Sequence, residues 1–190
     1  GYTGRLIAKQ VSKRGLKPIL AGRNRESIEK LASETGFESI VFELEDTSAL
    51  LKALEGVAIV LHCAGPFSAT SQPMIEACLE SACHYLDITG EISVFSNAQR
   101  LSDDARRKDI VLMPGVGFDV VPTDCLAATL VNALPSATKL TLAFEAGGQM
   151  SPGTAKTSIE GLAGGGCVRK GGKLEWVPLA WKTRCLLYTS

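Results

Sequence analysis

Gly1-Tyr2-Thr3-Gly4-Arg5-Leu6-Ile7-Ala8 decides the fold: two glycines three residues apart run straight into the start of an amphipathic helix. Such a pair lets backbone N–H groups approach a pyrophosphate, and the helix dipole favours its charge. Nineteen residues beyond Gly4, after the apolar run Ile19-Leu20-Ala21-Gly22, stands Arg23. In a dinucleotide-binding fold that position reads the adenosine ribose. An acidic residue there would accept from the free 2′-hydroxyl of NAD, whereas an arginine suits the 2′-phosphate of NADP. The pattern predicts NADP in preference to NAD, with Gly1, Tyr2, Thr3 and Gly4 at the pyrophosphate and Arg23 at the 2′-phosphate. The competing reading of Arg23 is a surface arginine at a strand end. Asn24 either shares the phosphate or caps the next helix.

Outward from this loop, short apolar runs recur about every 25 residues, at 18–21, 40–44, 57–61, 84–88 and 110–113. They are nearly continuous rather than alternating, as parallel strands covered on both faces should be. Between them lie helical patterns. One spans 5–14 and stops at Gly15; a second spans 27–35 and stops at Gly36. A third takes Asp46 or Thr47 as N-cap and packs Leu50 with Leu54. A fourth, from Pro73, buries Ile75, Cys78, Leu79 and Ala82. A fifth carries Val94, Ala98, Leu101 and Ala105 on one face. A sixth, from Pro122, turns Leu126, Leu130 and Leu134 inward. The fold class is α/β, a Rossmann-like doubly wound parallel sheet.

In the usual strand order the strand before the phosphate loop is central. The pattern therefore expects a first strand ahead of Gly1 that this sequence does not contain. Without it the sheet must close a gap or stay split, and the chain alone should be poorly stable. After Pro135 the rhythm breaks: 139–146 alternates like an antiparallel strand, a glycine-rich stretch follows, 154–162 has helical character and 174–177 reads as a strand. The expected organisation is an NADP-binding domain at 1–135 and the start of an α+β substrate or dimerisation domain at 136–184. Residues 185–190 continue no pattern and read as a non-native tail.

Formal net charge is zero over 190 residues, which argues against a nucleic-acid partner and its clustered basic surface. No run approaches the roughly 18 apolar residues of a membrane span. The six cysteines form no Cys-x-x-Cys pair, so they read as reduced thiols in a cytoplasmic setting. His62 and His84 have no metal-ligand partner at a useful spacing, and no metal is expected. Tyr85 is followed four residues later by Thr89, so no Tyr-x-x-x-Lys acid/base pair exists there, and no Gly-x-Ser-x-Gly elbow is present.

Three further segments fall where open α/β sheets bind ligands, at the carboxyl ends of strands. Asp46 sits beside the expected adenine position, or simply caps the third helix. Cys63-Ala64-Gly65-Pro66-Phe67 lets backbone lie against the ribose and pyrophosphate. Pro114-Gly115-Val116-Gly117-Phe118-Asp119 does the same toward the nicotinamide. For both glycine turns the competing reading is tight backbone geometry alone.

Taken in order, Gly-Tyr-Thr-Gly-Arg-Leu, Leu20 to Asn24, Ala64-Gly65-Pro66-Phe67, Ala77-Cys78, the run from His84 to Glu91 and the run from Pro114 to Asp119 form a series. It resembles the saccharopine dehydrogenase-like oxidoreductases, close to the branch that includes trans-acting enoyl reductases. The likeness covers 1–124 most fully and extends more loosely to about 177, and Tyr85-Leu86-Asp87-Ile88-Thr89-Gly90-Glu91 with the preceding Gly65-Pro66-Phe67 is its most specific part. It implies an NADP-binding Rossmann domain, a following α+β domain, and hydride transfer between the nicotinamide and a C=N, C=C or C=O group. The implied substrate is a small molecule, lipid-linked or amino-acid derived, with homodimerisation through the second domain. Tyr85, Asp87, Glu91 and Asp119 fall on the substrate side, or else Asp87 and Thr89 satisfy turn backbone and Glu91 favours a helix start. Catalytic residues stay unassigned. The rival class is a non-catalytic dinucleotide-binding sensor or scaffold.

Overall fold

Short, nearly continuous apolar segments pair in parallel because helices cross between them. The computed structural model describes residues 1–118, 120–142 and 152–182. Contacts divide the chain into two units, 1–147 and 148–190. The first unit runs α1 (Tyr2–Lys13), β1 (Leu20–Gly22), α2 (Arg25–Thr35), β2 (Ser39–Val41), α3 (Thr47–Ala53), β3 (Ile59–His62), α4 (Phe67–Glu80), β4 (His84–Asp87), α5 (Ile92–Arg100), α6 (Ser102–Arg107), β5 (Leu112–Met113) and α7 (Val121–Ala133).

The sheet is split, one of the two outcomes the sequence left open, the other being a closed gap. Strand β1 pairs in parallel with β2, with Leu20 opposite Ser39. Strand β4 lies between β3 and β5, pairing Ile59 with His84 on one side and Tyr85 with Leu112 on the other. Among the described residues no ladder joins β1 to β3.

Leu50, Leu54, Met74, Ile75, Ala77, Cys78, Cys83 and Tyr85 form a core where α3 and α4 cover β4. Full burial of a side chain such as Leu50 or Ile75 contributes roughly 1.5–3 kcal/mol. Helix ends follow local chemistry. Asn24 Oδ1 accepts from Ser27 N–H at 2.8 Å, and Asp46 Oδ1 accepts from Ala49 N–H at 2.9 Å. Gly36 closes α2 in the left-handed conformation, φ 73°.

Four expectations need correction. Helix α4 starts at Phe67, six residues before Pro73, which lies inside it; its start is held by partners distant in sequence, described below. Ala82 is not on that helix's buried face but exposed in the turn beyond it, with φ 51°. The fifth helix divides at Leu101 into α5 and α6, although Val94, Ala98 and Ala105 are buried as expected. Leu126, Leu130 and Leu134 of the α7 segment are exposed, and no residue of that helix is buried. Periodicity reports an apolar stripe, not what covers it.

In the second unit α8 (Pro152–Leu162) precedes the antiparallel hairpin β6 (Gly166–Lys170) and β7 (Lys173–Val177). Gly171 and Gly172, both at positive φ, make its two-residue turn. Residues 139–142 carry no strand; 143–146 and the 185–190 tail lie outside the described residues.

Candidate functional site

Among the described residues no side chain caps the first N–H groups of α1. Its N-cap is Gly1, with no side-chain cap, and the N–H of Arg5 bonds the Gly1 carbonyl at 3.2 Å. The N–H groups of Tyr2, Thr3 and Gly4 precede the first intrahelical bond, unlike those of α2 and α3, whose first turns have Asn24 and Asp46. A Cβ on Gly4 would stand 3.6 Å from Cys63 Cβ, and one on Gly1 would stand 4.0 Å from the Cys63 carbonyl oxygen. The glycine loop thus abuts the end of β3.

Arg23 stands exposed directly after β1. Among the described residues no carboxylate pairs with it, whereas Arg25 is paired with Glu29 at 3.1 Å. A Cβ on Gly22 before it would meet Ile28 Cδ1 at 2.9 Å, so a larger residue there needs the end of the Ile28 side chain to shift. Asn24 and Asp46 are exposed, each with a side-chain oxygen engaged as a helix cap. Uncapped helix donors suit a pyrophosphate and an unpaired guanidinium suits a phosphate, so each feature by itself matches part of an anionic dinucleotide. The residues present fit that group.

Beyond β3 and β4 a hydrogen-bonded cluster sets the loops. Thr70 Oγ1 lies 2.6 Å from the Ala64 carbonyl and 3.0 Å from the Pro66 carbonyl, and donates there. With its proton so used, it accepts from His62 Nε2 at 3.1 Å, which assigns the Nε2–H tautomer. His62 is buried, with its ring edge-on to Phe67. Burial lowers its pKa to about 4 despite the opposing pull of the Asp87 charge. Burial also pushes the Cys63 thiol up to about 11, so it stays protonated at neutral pH.

Asp87 has no exposed surface. Its carboxylate accepts from the Tyr85 hydroxyl at 2.7 Å, from Thr89 N–H at 2.9 Å and from Gly115 N–H at 2.8 Å. Burial, with the hydrogen bond to Asp87, raises the Tyr85 pKa, so the phenol remains a donor. Thr89 Oγ1 accepts from Glu91 N–H at 3.0 Å, and Glu91 Oε1 accepts from Phe67 N–H at 3.0 Å. Gly115 has φ 77°, and a Cβ on Gly117 would stand 2.9 Å from Ile88 Cβ.

The structure therefore brings Gly1 and Gly4 to Cys63, and gathers Tyr85, Asp87 and Glu91 with the Gly115 turn and the Pro66–Phe67 start of α4. Arg23 stands apart at the end of β1, and Asp119 lies outside the described residues. The sequence reading missed His62 and Thr70 as partners. Their signal was a hydroxyl four residues after Pro66, able to bond back to its carbonyl. A surface hollow of about 160 Å³, lined by Ser12, Gly15, Leu16, Lys17, Thr35, Gly36 and Phe37, lies at the far end of α1 from this cluster. Among the described residues no helix is long and apolar enough to cross a membrane, and no group of His, Cys, Asp and Glu could hold a metal ion.

Comparison with known proteins places this geometry. The family model of the saccharopine dehydrogenase NADP binding domain matches residues 1–113. A human saccharopine dehydrogenase-like oxidoreductase is 25% identical over 198 residues, covering 90% of this chain and 46% of its own length. The chain thus spans less than half of that relative. A trans-acting enoyl reductase of Mycobacterium leprae is 29% identical over 133 residues, 65% of this chain and 32% of its own. Apo saccharopine dehydrogenase (L-Glu forming) from Saccharomyces cerevisiae superposes with a TM-score of 0.63 at 16% identity, over 72% of this chain and 30% of that one. At that identity the likeness is one of fold.

Proposed function

The chain belongs to the saccharopine dehydrogenase NADP-binding domain family, and from that premise we propose that it is the dinucleotide-binding part of an oxidoreductase using NADP in preference to NAD. The observation that carries the preference is Arg23, exposed after β1 with no carboxylate partner among the described residues. A guanidinium there attracts a 2′-phosphate, and the position offers no acceptor for a free 2′-hydroxyl. The backbone donors of Tyr2, Thr3 and Gly4, opened by Gly1, hold the pyrophosphate. Asp46 keeps its capping bond and borders the adenine. Asn24 keeps its cap on α2 and supports Arg23 from the adjacent position.

A bound nicotinamide would supply hydride chemistry for a C=N, C=C or C=O group of a small molecule. Cys63, Ala64, Gly65 and Pro66 present backbone to the ribose, and Gly115 and Gly117 present it toward the nicotinamide. Tyr85, Asp87 and Glu91 shape the substrate side, which Asp119 continues; with its proton committed to Asp87, Tyr85 orients the edge rather than donating to substrate. One relative is named an enoyl reductase and one solved structure a saccharopine dehydrogenase (L-Glu forming), and the substrate proposed for this chain is lipid-linked or amino-acid derived. The second unit is assigned to substrate contact and to pairing of two copies. A reducing compartment such as the cytoplasm suits Cys78 and Cys83, buried as free thiols.

The test follows NADPH absorbance with the full-length protein against imines, enoyl thioesters and ketones. Substrate-dependent consumption by one class is expected. Tight NADPH binding without consumption of any class would contradict the oxidoreductase reading.

A further inference from the structure

The connectors after β3, β4 and β5 are not independent loops. Gly115 N–H and Thr89 N–H converge on Asp87 Oδ1, Val116 N–H bonds the Asp87 carbonyl at 2.7 Å, and Thr89 Oγ1 holds Glu91 N–H. These bonds tie the β4 and β5 connectors to each other. Among the described residues a single hydrogen bond links them to the end of the β3 connector: Glu91 Oε1 to Phe67 N–H, 24 residues away in sequence, at 3.0 Å. Glu91 stands at the N-cap position of α5 yet gives no side-chain cap to its own helix. Its carboxylate is spent on the first residue of α4 instead, where the helix dipole favours negative charge. Phe67 follows Pro66 directly, and Thr70 fixes the carbonyls of Ala64 and Pro66 from within α4. Displacement of the α4 start therefore displaces the whole Cys63–Pro66 turn.

We propose that Glu91 is a positioning residue for the dinucleotide: its bond to Phe67 locks the Cys63–Pro66 turn to the Asp87–Thr89–Gly115 cluster, so that both glycine turns meet the cofactor as one preorganised surface. The inference rests on the NADP reading above. It makes the length of the Glu91 side chain matter more than its charge. An amide oxygen at the same reach can accept from Phe67 N–H; a carboxylate one methylene shorter cannot. A general acid or base would show the opposite order.

The experiment compares Glu91→Gln, Glu91→Asp and Glu91→Ala with the parent in the full chain, by NADPH titration well below each melting temperature. Exchange of the Phe67 amide proton is followed in the same samples without nucleotide. E91A and E91D should expose the Phe67 amide to exchange and weaken NADPH about tenfold, the scale of one charge-assisted hydrogen bond. E91Q should keep the amide protected and bind NADPH within about threefold of the parent. Faster Phe67 exchange with unchanged NADPH affinity would make Glu91 a helix cap and nothing more. Equal loss in E91Q and E91A would overturn the length argument. If the parent itself fails to bind NADPH, the functional reading falls; if the parent binds and the variants match it, only this inference falls.

Discussion

Burial against Thr70 and Phe67 lowers the His62 imidazole from 6.5 to about 4, so the folded protein keeps it neutral while the unfolded chain protonates it near its ordinary value. Above about pH 6.5 both states are neutral and the burial carries no protonation penalty. As the pH falls toward about 4 only the unfolded state takes up the proton, and stability drops by as much as about 3 kcal/mol. His62→Gln removes that dependence while leaving the carboxylates in place. Urea unfolding of parent and variant from neutral to acid pH should show the parent's relative stability shrinking across this window; a difference flat with pH contradicts the buried, neutral ring. The sequence offers His62 no metal-ligand spacing, and its partner lies eight residues on. That partner comes within reach only because α4 starts at Phe67, so the residue's role was not legible from its neighbours. Asp87 was legible in part: an acid at a strand end before Thr89 suggested turn bonding, but its Gly115 partner is 28 residues away.

Elements whose ends are set by adjacent residues were readable, and those set by distant ones were not. Asn24, Gly36 and Asp46 bound α2 and α3 by chemistry within one turn. The start of α4 depends on Glu91, and the sequence placed it too late at Pro73. Of the β6–β7 hairpin only 174–177 was read as a strand, and β6 escaped within a glycine-rich stretch, although Gly171-Gly172 between two short runs is a hairpin signal. Glycines at positive φ separate backbone strain from packing here. Gly36, at φ 73°, has open space around it, whereas a Cβ on Gly115, at φ 77°, would stand 2.5 Å from Phe95 Cζ. Alanine in the left-handed region costs about 1–2 kcal/mol at either site. At Gly115 displacement of the Phe95 ring adds about 1–3 kcal/mol more. Thermal unfolding of Gly36→Ala and Gly115→Ala should show the second clearly less stable; equal losses would mean that the 114–118 turn does not pack on α5.

For the whole molecule, the alternation of apolar runs with amphipathic helices gave the α/β class because each period reports a local geometry. The division of strands into β1–β2 and β3–β4–β5 was legible only as one of two outcomes, a split sheet or a closed gap. The exposed apolar face of α7 was not, since no periodicity states which neighbour covers a helix. At this scale the proposed function has two features of the first unit act on one cofactor: uncapped donors at the start of α1 for the pyrophosphate, and Arg23 after β1 for the 2′-phosphate. A paired titration of NADPH and NADH against the full chain and its Arg23→Ala variant tests that assignment most directly. The account predicts tighter NADPH binding by the parent, and a loss of about 10- to 100-fold for NADPH in the variant, with NADH nearly unchanged. Equal affinity for the two nucleotides in the parent, or an equal loss of both in the variant, would contradict it.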